Sequence, residues 1–215
     1  MTSAMCSTEA KPPLGWRLCG LLAALLVIGV SGWGIHNPLS SMSLYTISLM
    51  GLNQAAPALL CASLPAAWWH RLERSPTACG WLLDPWIAGA AFMLASTAIG
   101  YPAILDPSIA NALFAAPLGL LEFVIGTMLW AQILAARSTG PRPFGICVLA
   151  IVAGIPMTIV SVLWMTSPSV LYTPYLDVVC LWNLSPIEDQ RLSGFIMLVS
   201  GIPLQLAGIC KLLFP

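Results

Sequence analysis

Glu122 lies near the middle of a long apolar stretch, where an ionisable side chain has the greatest potential for chemistry. Four small residues flank it at helical spacing, which favours close helix packing: Ala112, Ala115, Gly119 and Gly126. A charge at that depth in a bilayer is costly unless it is neutralised or partnered, so Glu122 is a candidate functional residue. A protonated Glu122 that makes one hydrogen bond to a neighbouring helix is the structural alternative.

Two adjacent amides, Asn53 and Gln54, interrupt another apolar stretch. Amide side chains inside a membrane most often hydrogen-bond a neighbouring helix. We therefore interpret Asn53 and Gln54, like Glu122, as intramembrane polar residues whose first role is contact between helices.

Soft side chains offer a second kind of chemistry, because methionine and cysteine suit Cu(I). The residues that could lie together near the outer face are His36, Met42, Met50, Met165 and Cys180. In an apolar chain most methionines and cysteines fill space in the core. We therefore predict no metal site and no cofactor, with copper kept as an alternative.

The third polar group is a run near the start of the last apolar stretch, consisting of Ser185, Pro186, Glu188, Asp189, Gln190 and Arg191. Serine followed by proline is typical of a helix start, and acids in the first turn complement the helix dipole. Four consecutive polar residues, 188–191, exceed what capping requires. The run is therefore predicted to be a capped helix start that also contacts a partner or a neighbouring loop arginine, with a cap alone as the alternative.

Motifs of catalysis are absent from the sequence. There is no G-x-S-x-G, phosphate-binding loop or H-E-x-x-H motif, and the two histidines, His36 and His70, are far apart in the chain. No basic patch suggests nucleic acid. We predict a protein that is not an enzyme and does not bind nucleic acid.

The elements that carry these residues are predicted to be membrane-spanning helices. Hydrophobic residues make up 59% of the 215 positions and charged residues 7%, and the mean hydropathy is +0.89. Roughly 20 apolar residues cross a bilayer as a helix. We predict an all-α polytopic bundle of six spans, at about 15–35, 42–64, 85–102, 110–135, 144–166 and 192–213.

The distribution of lysine and arginine sets the predicted orientation. Of the eight, only Arg191 falls on one side of the membrane, so both termini are predicted to be cytoplasmic. The domain organisation is a mobile cytoplasmic N-terminus at 1–13 and a single membrane domain at 14–215, with an outer loop at 167–191. Trp130 is expected near the cytoplasmic interface, where aromatic rings settle.

The segment L-Y-T-P-Y at 171–175 and the run S-P-I-E-D-Q-R-L-S-G-F-I-M at 185–197 resemble the bacterial multi-span CtaG-type cytochrome c oxidase assembly factors. In that family an S-P-L-E-D-Q-x-x-A-G-x-I-M-W-like run opens the final helix. The resemblance implies a helical bundle in the bacterial inner membrane, surrounded by lipid. It also implies a role in oxidase maturation or copper delivery, with oxidase or other respiratory-complex subunits as partners.

This sequence departs from the family pattern at its histidines. The family's first histidine pair falls near Leu44/Tyr45 and Ser48/Leu49, its middle histidine near Gly100, and its last pair near Ala115 and Gly119. None of these positions is histidine. Two hypotheses remain: an oxidase assembly factor that works with other ligands or as a platform, and a metal-free accessory subunit of a respiratory complex. A small transporter has only Glu122 in its favour.

Overall fold

A computed structural model describes residues 14–73, 83–134, 143–176 and 183–213. Within those ranges every regular element is helical, as predicted. The N-terminus at 1–13, which was predicted to be mobile, and Cys180 lie outside the described residues.

The helices follow one another in a chain of long and short segments. They are α1 (Leu14–His36), α2 (Met42–Met50), a π turn (Gly51–Ala55), α3 (Ala56–Ser63), α4 (Ala66–Glu73), α5 (Pro85–Ile99), α6 (Pro102–Ala110), α7 (Ala112–Leu134), α8 (Pro143–Thr166) and α9 (Pro186–Leu213). Single 3-10 turns lie at Pro38–Ser40 and Thr173–Tyr175. Because α9 begins at Pro186, the end of the predicted outer loop 167–191 is helical.

The predicted count of six spans is not confirmed. Among the described residues four helices, α1, α7, α8 and α9, are long and apolar enough to cross a membrane, and a fifth span results if α5 and α6 are counted together. The axes of α5 and α6 differ by 71°. Tyr101 between them is extended, at φ −97° and ψ 116°, because the residue before Pro102 is disfavoured in helical geometry.

The predicted second span, 42–64, is divided by the π turn into segments that are individually short. The π turn bonds the Ala56 amide to the Gly51 carbonyl, five residues earlier. Pro57 has no amide hydrogen, so the Asn53 carbonyl has no donor four residues later. Helical backbone nevertheless continues from Met42 to Ser63, because Met50, Gly51, Ala55 and Ala56 all have α-helical dihedrals.

The run Met42–Ser63 packs antiparallel against α1 through pairs of glycine and serine. Ser63 faces Gly20, Ser48 faces Gly34, and Ser31 of α1 faces Gly51. In each pair a Cβ on the glycine would overlap the serine hydroxyl. Small residues let helix backbones approach closely without lipid between them.

The most extensive helix pair is α8 with α9. Gly194, Gly201 and Gly208, at heptad spacing, present their bare Cα atoms to α8. A Cβ on Gly194 would lie 2.7 Å from the Ser161 carbonyl oxygen, and one on Gly208 would lie 2.7 Å from the Ala150 side chain. The outward faces of these helices carry exposed leucine, isoleucine and valine, as expected for contact with lipid.

Candidate functional site

The polar run at the start of α9 divides into an exposed and a buried half. Ser185 precedes Pro186 at the first helical position, and Glu188 folds back onto it. The Ser185 hydroxyl donates to Glu188 Oε2 at 2.7 Å and the Ser185 amide donates to the same oxygen at 2.9 Å. These two bonds hold the pKa of the exposed Glu188 below its usual range. Glu188 thus forms one half of a capping box by accepting from the Ser185 amide, whereas the Ser185 hydroxyl is a donor and, among the residues that the structure describes, accepts from none of the amides of α9.

Asp189 belongs to the buried half and caps a different helix. Its carboxylate, 1% exposed, accepts from the Met42 amide at 2.7 Å, the Ser43 amide at 3.1 Å and the Ser41 hydroxyl at 3.0 Å. The Ser43 hydroxyl donates to it as well. We expected Asp189 to satisfy donors in its own first turn, but these donors begin α2. The start of α9 is thus locked onto the start of α2.

Gln190 holds the end of α8 and the segment that follows it against α9. Its Oε1 accepts from the Leu171 amide at 2.8 Å, and its Nε2 donates to the carbonyls of Trp164 at 3.3 Å and Ser169 at 3.4 Å. The segment after α8 is thereby held against α9. Arg191, by contrast, is exposed, as are Ser185 and Glu188.

A second polar cluster joins the π turn to α7. Asn53 Nδ2 donates to Glu122 Oε2, Gln54 Nε2 donates to Asn53 Oδ1 at 2.9 Å, and Trp130 Nε1 donates to Gln54 Oε1 at 3.1 Å. All four side chains are buried. The structure thus brings together Glu122, Asn53 and Gln54, the three polar residues that the sequence singled out.

Sequence reasoning did not include Trp130 in this cluster, where the structure buries it. Its position eight residues after Glu122, two helical turns along the same face of α7, was the available signal. Gly126, between them, lets the Asn53 backbone approach, since a Cβ there would overlap the Asn53 carbonyl oxygen.

The positions at which the resembled family carries histidine converge on one apolar cluster. Tyr45, Leu49 and Ala115 belong to it, and their neighbours in the cluster include Leu105 and Ile109. A Cβ on Gly119 would contact Ile35 and Leu52, and a Cβ on Gly100 would contact Val160. These three residues also belong to the apolar cluster. The Tyr45 hydroxyl donates to Ser108 Oγ at 3.1 Å. Apolar packing therefore occupies the place that the histidines would share.

The soft side chains named above lie in different surroundings where the structure describes them. His36 is exposed at the end of α1, Met42 and Met50 are buried in the apolar cluster, and Met165 is half-buried beside Gly194. Residues 14–73, 83–134, 143–176 and 183–213 contain no group of three or more His, Cys, Asp or Glu side chains arranged to hold a metal ion.

Comparison with protein families matches the cytochrome c oxidase caa3 assembly factor family (Caa3_CtaG) over residues 12–214. Comparisons with curated proteins and with solved structures give no match. The family match covers nearly the whole chain, and it includes the polar run that opens α9 and the segment at 171–175. The chain therefore belongs to the cytochrome c oxidase caa3 assembly factor family.

Proposed function

We propose that this membrane protein supports maturation of a cytochrome c oxidase as a protein platform, without copper bound at the family's histidine positions. Family membership supports the role in oxidase assembly. The apolar cluster that contains Tyr45, Leu49 and Ala115 supports the metal-free mode of action.

The chemistry of these side chains carries the argument. Copper in transfer is bound by imidazole, thiolate or thioether groups. At the family's histidine positions, leucine, alanine and glycine have no donor atom in their side chains, and the hydroxyls of Tyr45 and Ser48 are engaged with Ser108 and the Leu44 carbonyl. The thioethers of the same cluster, those of Met42, Met50, Met157 and Met197, are buried in its packing. A copper ion at this place would also have to displace close-packed apolar groups. Copper delivery through that site is thus disfavoured on both counts.

The exposed half of the α9 start is the proposed contact with an oxidase subunit. Ser185, Glu188 and Arg191 are spaced three residues apart, so they lie on one side of the first two turns. They present an acid and a base to the surroundings, whereas Asp189 and Gln190 are used inside the molecule. Charged residues at the edge of an interface contribute more to the choice of partner than to the affinity of binding.

The proposed location is the bacterial inner membrane, with both termini in the cytoplasm. The lysine and arginine distribution supports this orientation. Reporter fusions after Pro215 and after Asn183 test it: cytoplasmic activity is expected at the first and external activity at the second, and the opposite pattern would refute it.

The deciding experiment measures oxidase assembly in a deletion strain that carries the gene for this protein or its variants. We expect restored oxidase activity, co-purification of oxidase subunits from immature complexes, and copper in the purified protein at background level. Glu188→Gln and Arg191→Gln should reduce recovery of the subunits while the protein stays folded. Exposed Thr97, on α5, provides a matched Thr97→Val control away from this surface.

Two other outcomes would redirect the assignment. Copper bound at about one ion per chain would contradict the metal-free mode. Constant co-purification with the mature, active oxidase, without effect on its assembly, would indicate the accessory subunit instead. If the deletion strain kept both its oxidase activity and its oxidase subunits, the proposal would be refuted.

A further inference from the structure

The carboxyl group of Glu122 is the starting point. It is 1% exposed, Oε2 accepts one hydrogen bond from Asn53, and Oε1 has no hydrogen-bond partner within the part of the chain that the structure describes. A buried polar atom without a partner is uncommon in folded proteins and calls for a physical explanation.

The indole of Trp130 fixes the direction of the whole hydrogen-bond chain. Indole Nε1 can only donate, so the atom of Gln54 that faces it must be the acceptor Oε1. Gln54 Nε2 then donates to Asn53 Oδ1, which leaves Asn53 Nδ2 to donate to Glu122. Glu122 Oε2 must therefore be an acceptor, and a proton on this carboxyl group can reside only on Oε1.

The surroundings disfavour the ionised form. An ionised carboxylate in an apolar interior requires several donors or a cation, and Glu122 receives one donor. Tyr45 on α2 is close enough to interact electrostatically, and Cys61 on α3 donates towards the Thr127 carbonyl of α7. The charged side chains on helices that pack against α7 lie towards helix ends or on the short α6, namely Arg17, His36, Asp106, Glu188, Asp189, Arg191 and Lys211.

The π turn determines that the site exists at all. A π turn holds one more residue than an α-helical turn, and one residue of an α-helix corresponds to a rotation of about 100°. An α-helical turn in its place would therefore rotate Asn53 and Gln54 by about 100° relative to the adjoining helix. Pro57 favours the π turn by withholding the amide hydrogen, and Gly126 makes room for the displaced Asn53 carbonyl. Both features hold Asn53 Nδ2 over Glu122.

We propose that Glu122 Oε1 is a reversible proton-binding site inside the membrane, set up by the π turn and the Trp130–Gln54–Asn53 chain. The ligand is a proton, and its binding leaves Oε2 as a carbonyl oxygen that accepts from Asn53. A groove of about 360 Å³ between Ile47–Ala58 and α9 is lined by Gln54 and Trp130 but not by Glu122. Proton exchange should therefore be slow, because it requires the chain to open.

Infrared spectroscopy of the full-length protein in lipid nanodiscs tests this directly. At neutral pH we expect the carbonyl stretch of a protonated carboxylic acid, which disappears in Glu122→Gln. In Asn53→Ala the same band should move to higher frequency, because its carbonyl oxygen loses a donor. In Thr97→Val, a control at an exposed position of α5 outside the hydrogen-bond chain, the band should remain at the wild-type frequency. Alkaline titration should convert the band into carboxylate bands reversibly.

Three results would overturn the proposal. One is an infrared spectrum that, in the region of the carboxylic-acid carbonyl stretch, is identical for wild type and Glu122→Gln at neutral pH. Another is a band that does not shift in Asn53→Ala. The third is a band that resists alkaline pH until the protein unfolds, because the proton would then be a fixed structural feature. Should Glu122→Gln fail to fold, the shift of the wild-type band in D₂O and its response to Asn53→Ala carry the same decision.

Discussion

Replacement of Asp189 by asparagine tests whether the start of α9 holds α2 in place. The carboxylate accepts from two backbone amides, of Met42 and Ser43, and from two hydroxyls, of Ser41 and Ser43. Asparagine has one acceptor oxygen and an NH₂ group that would face donors. In either orientation of the amide, one buried backbone amide, that of Met42 or that of Ser43, would lose its acceptor, whereas the two hydroxyls can turn to another oxygen. Since a buried donor left unsatisfied costs about 1–3 kcal/mol, we expect a loss of about 1–3 kcal/mol in the free energy of unfolding.

The measurement is reversible unfolding of the purified protein in mixed micelles, followed by circular dichroism. Glu188→Gln is the matched control, because Glu188 is the adjacent acid, is exposed and caps only its own helix. A cycle with Ser43→Ala isolates the contact: the double variant should lose less than the sum of the two single variants. Equal stability of Asp189→Asn and Glu188→Gln would refute the role of Asp189 in fixing α2.

Two further predictions concern helix packing and pH. Gly34→Ala should lower the free energy of unfolding by about 1–3 kcal/mol, because the new Cβ would overlap the Ser48 hydroxyl. Gly32→Ala, with open space around it, should not lower it, and equal melting temperatures of the two variants would contradict this. Ionised Glu188 should stabilise the protein at neutral pH and cease to do so in acid, because its folded pKa lies below the unfolded value and the contribution is lost as pH falls through the folded pKa. Glu188→Gln should therefore be less stable than wild type only above that range, and a deficit that grows in acid would contradict the assignment.

Hydropathy predicted the positions of the helices well. The expected stretch at 144–166 corresponds to Pro143–Thr166, and that at 110–135 to Ala112–Leu134. Long apolar runs suffice for this, because backbone groups in lipid must bond within their own helix. The bend at Gly100–Tyr101 and the π turn were not predicted, because a proline indicates an interruption but not its geometry.

The pairing of polar residues was predicted only in part. Glu122, Asn53 and Gln54 stood out because polar groups are rare in apolar stretches, and they do meet. The partner of Asp189 could not be inferred, because Ser41 lies 148 residues away in the sequence and a helix start offers no sign of which carboxylate will cap it. Local sequence shows that a donor needs an acceptor, and the packing of the bundle decides which one it receives.

The segment Met42–Ser63 explains how the bundle can hold together without a metal. Asp189 fixes its N-terminal end, and Asn53 and Glu122 fix its middle. The glycine–serine pairs hold it along α1. Two of the family's histidine positions lie between the first two of these contacts, in the apolar cluster. Because hydrogen bonds on both sides position the segment, its packing requires no ligand bond at those positions. Under the function proposed above, the platform therefore needs no metal at those positions and uses the surface at Ser185, Glu188 and Arg191 for its partner.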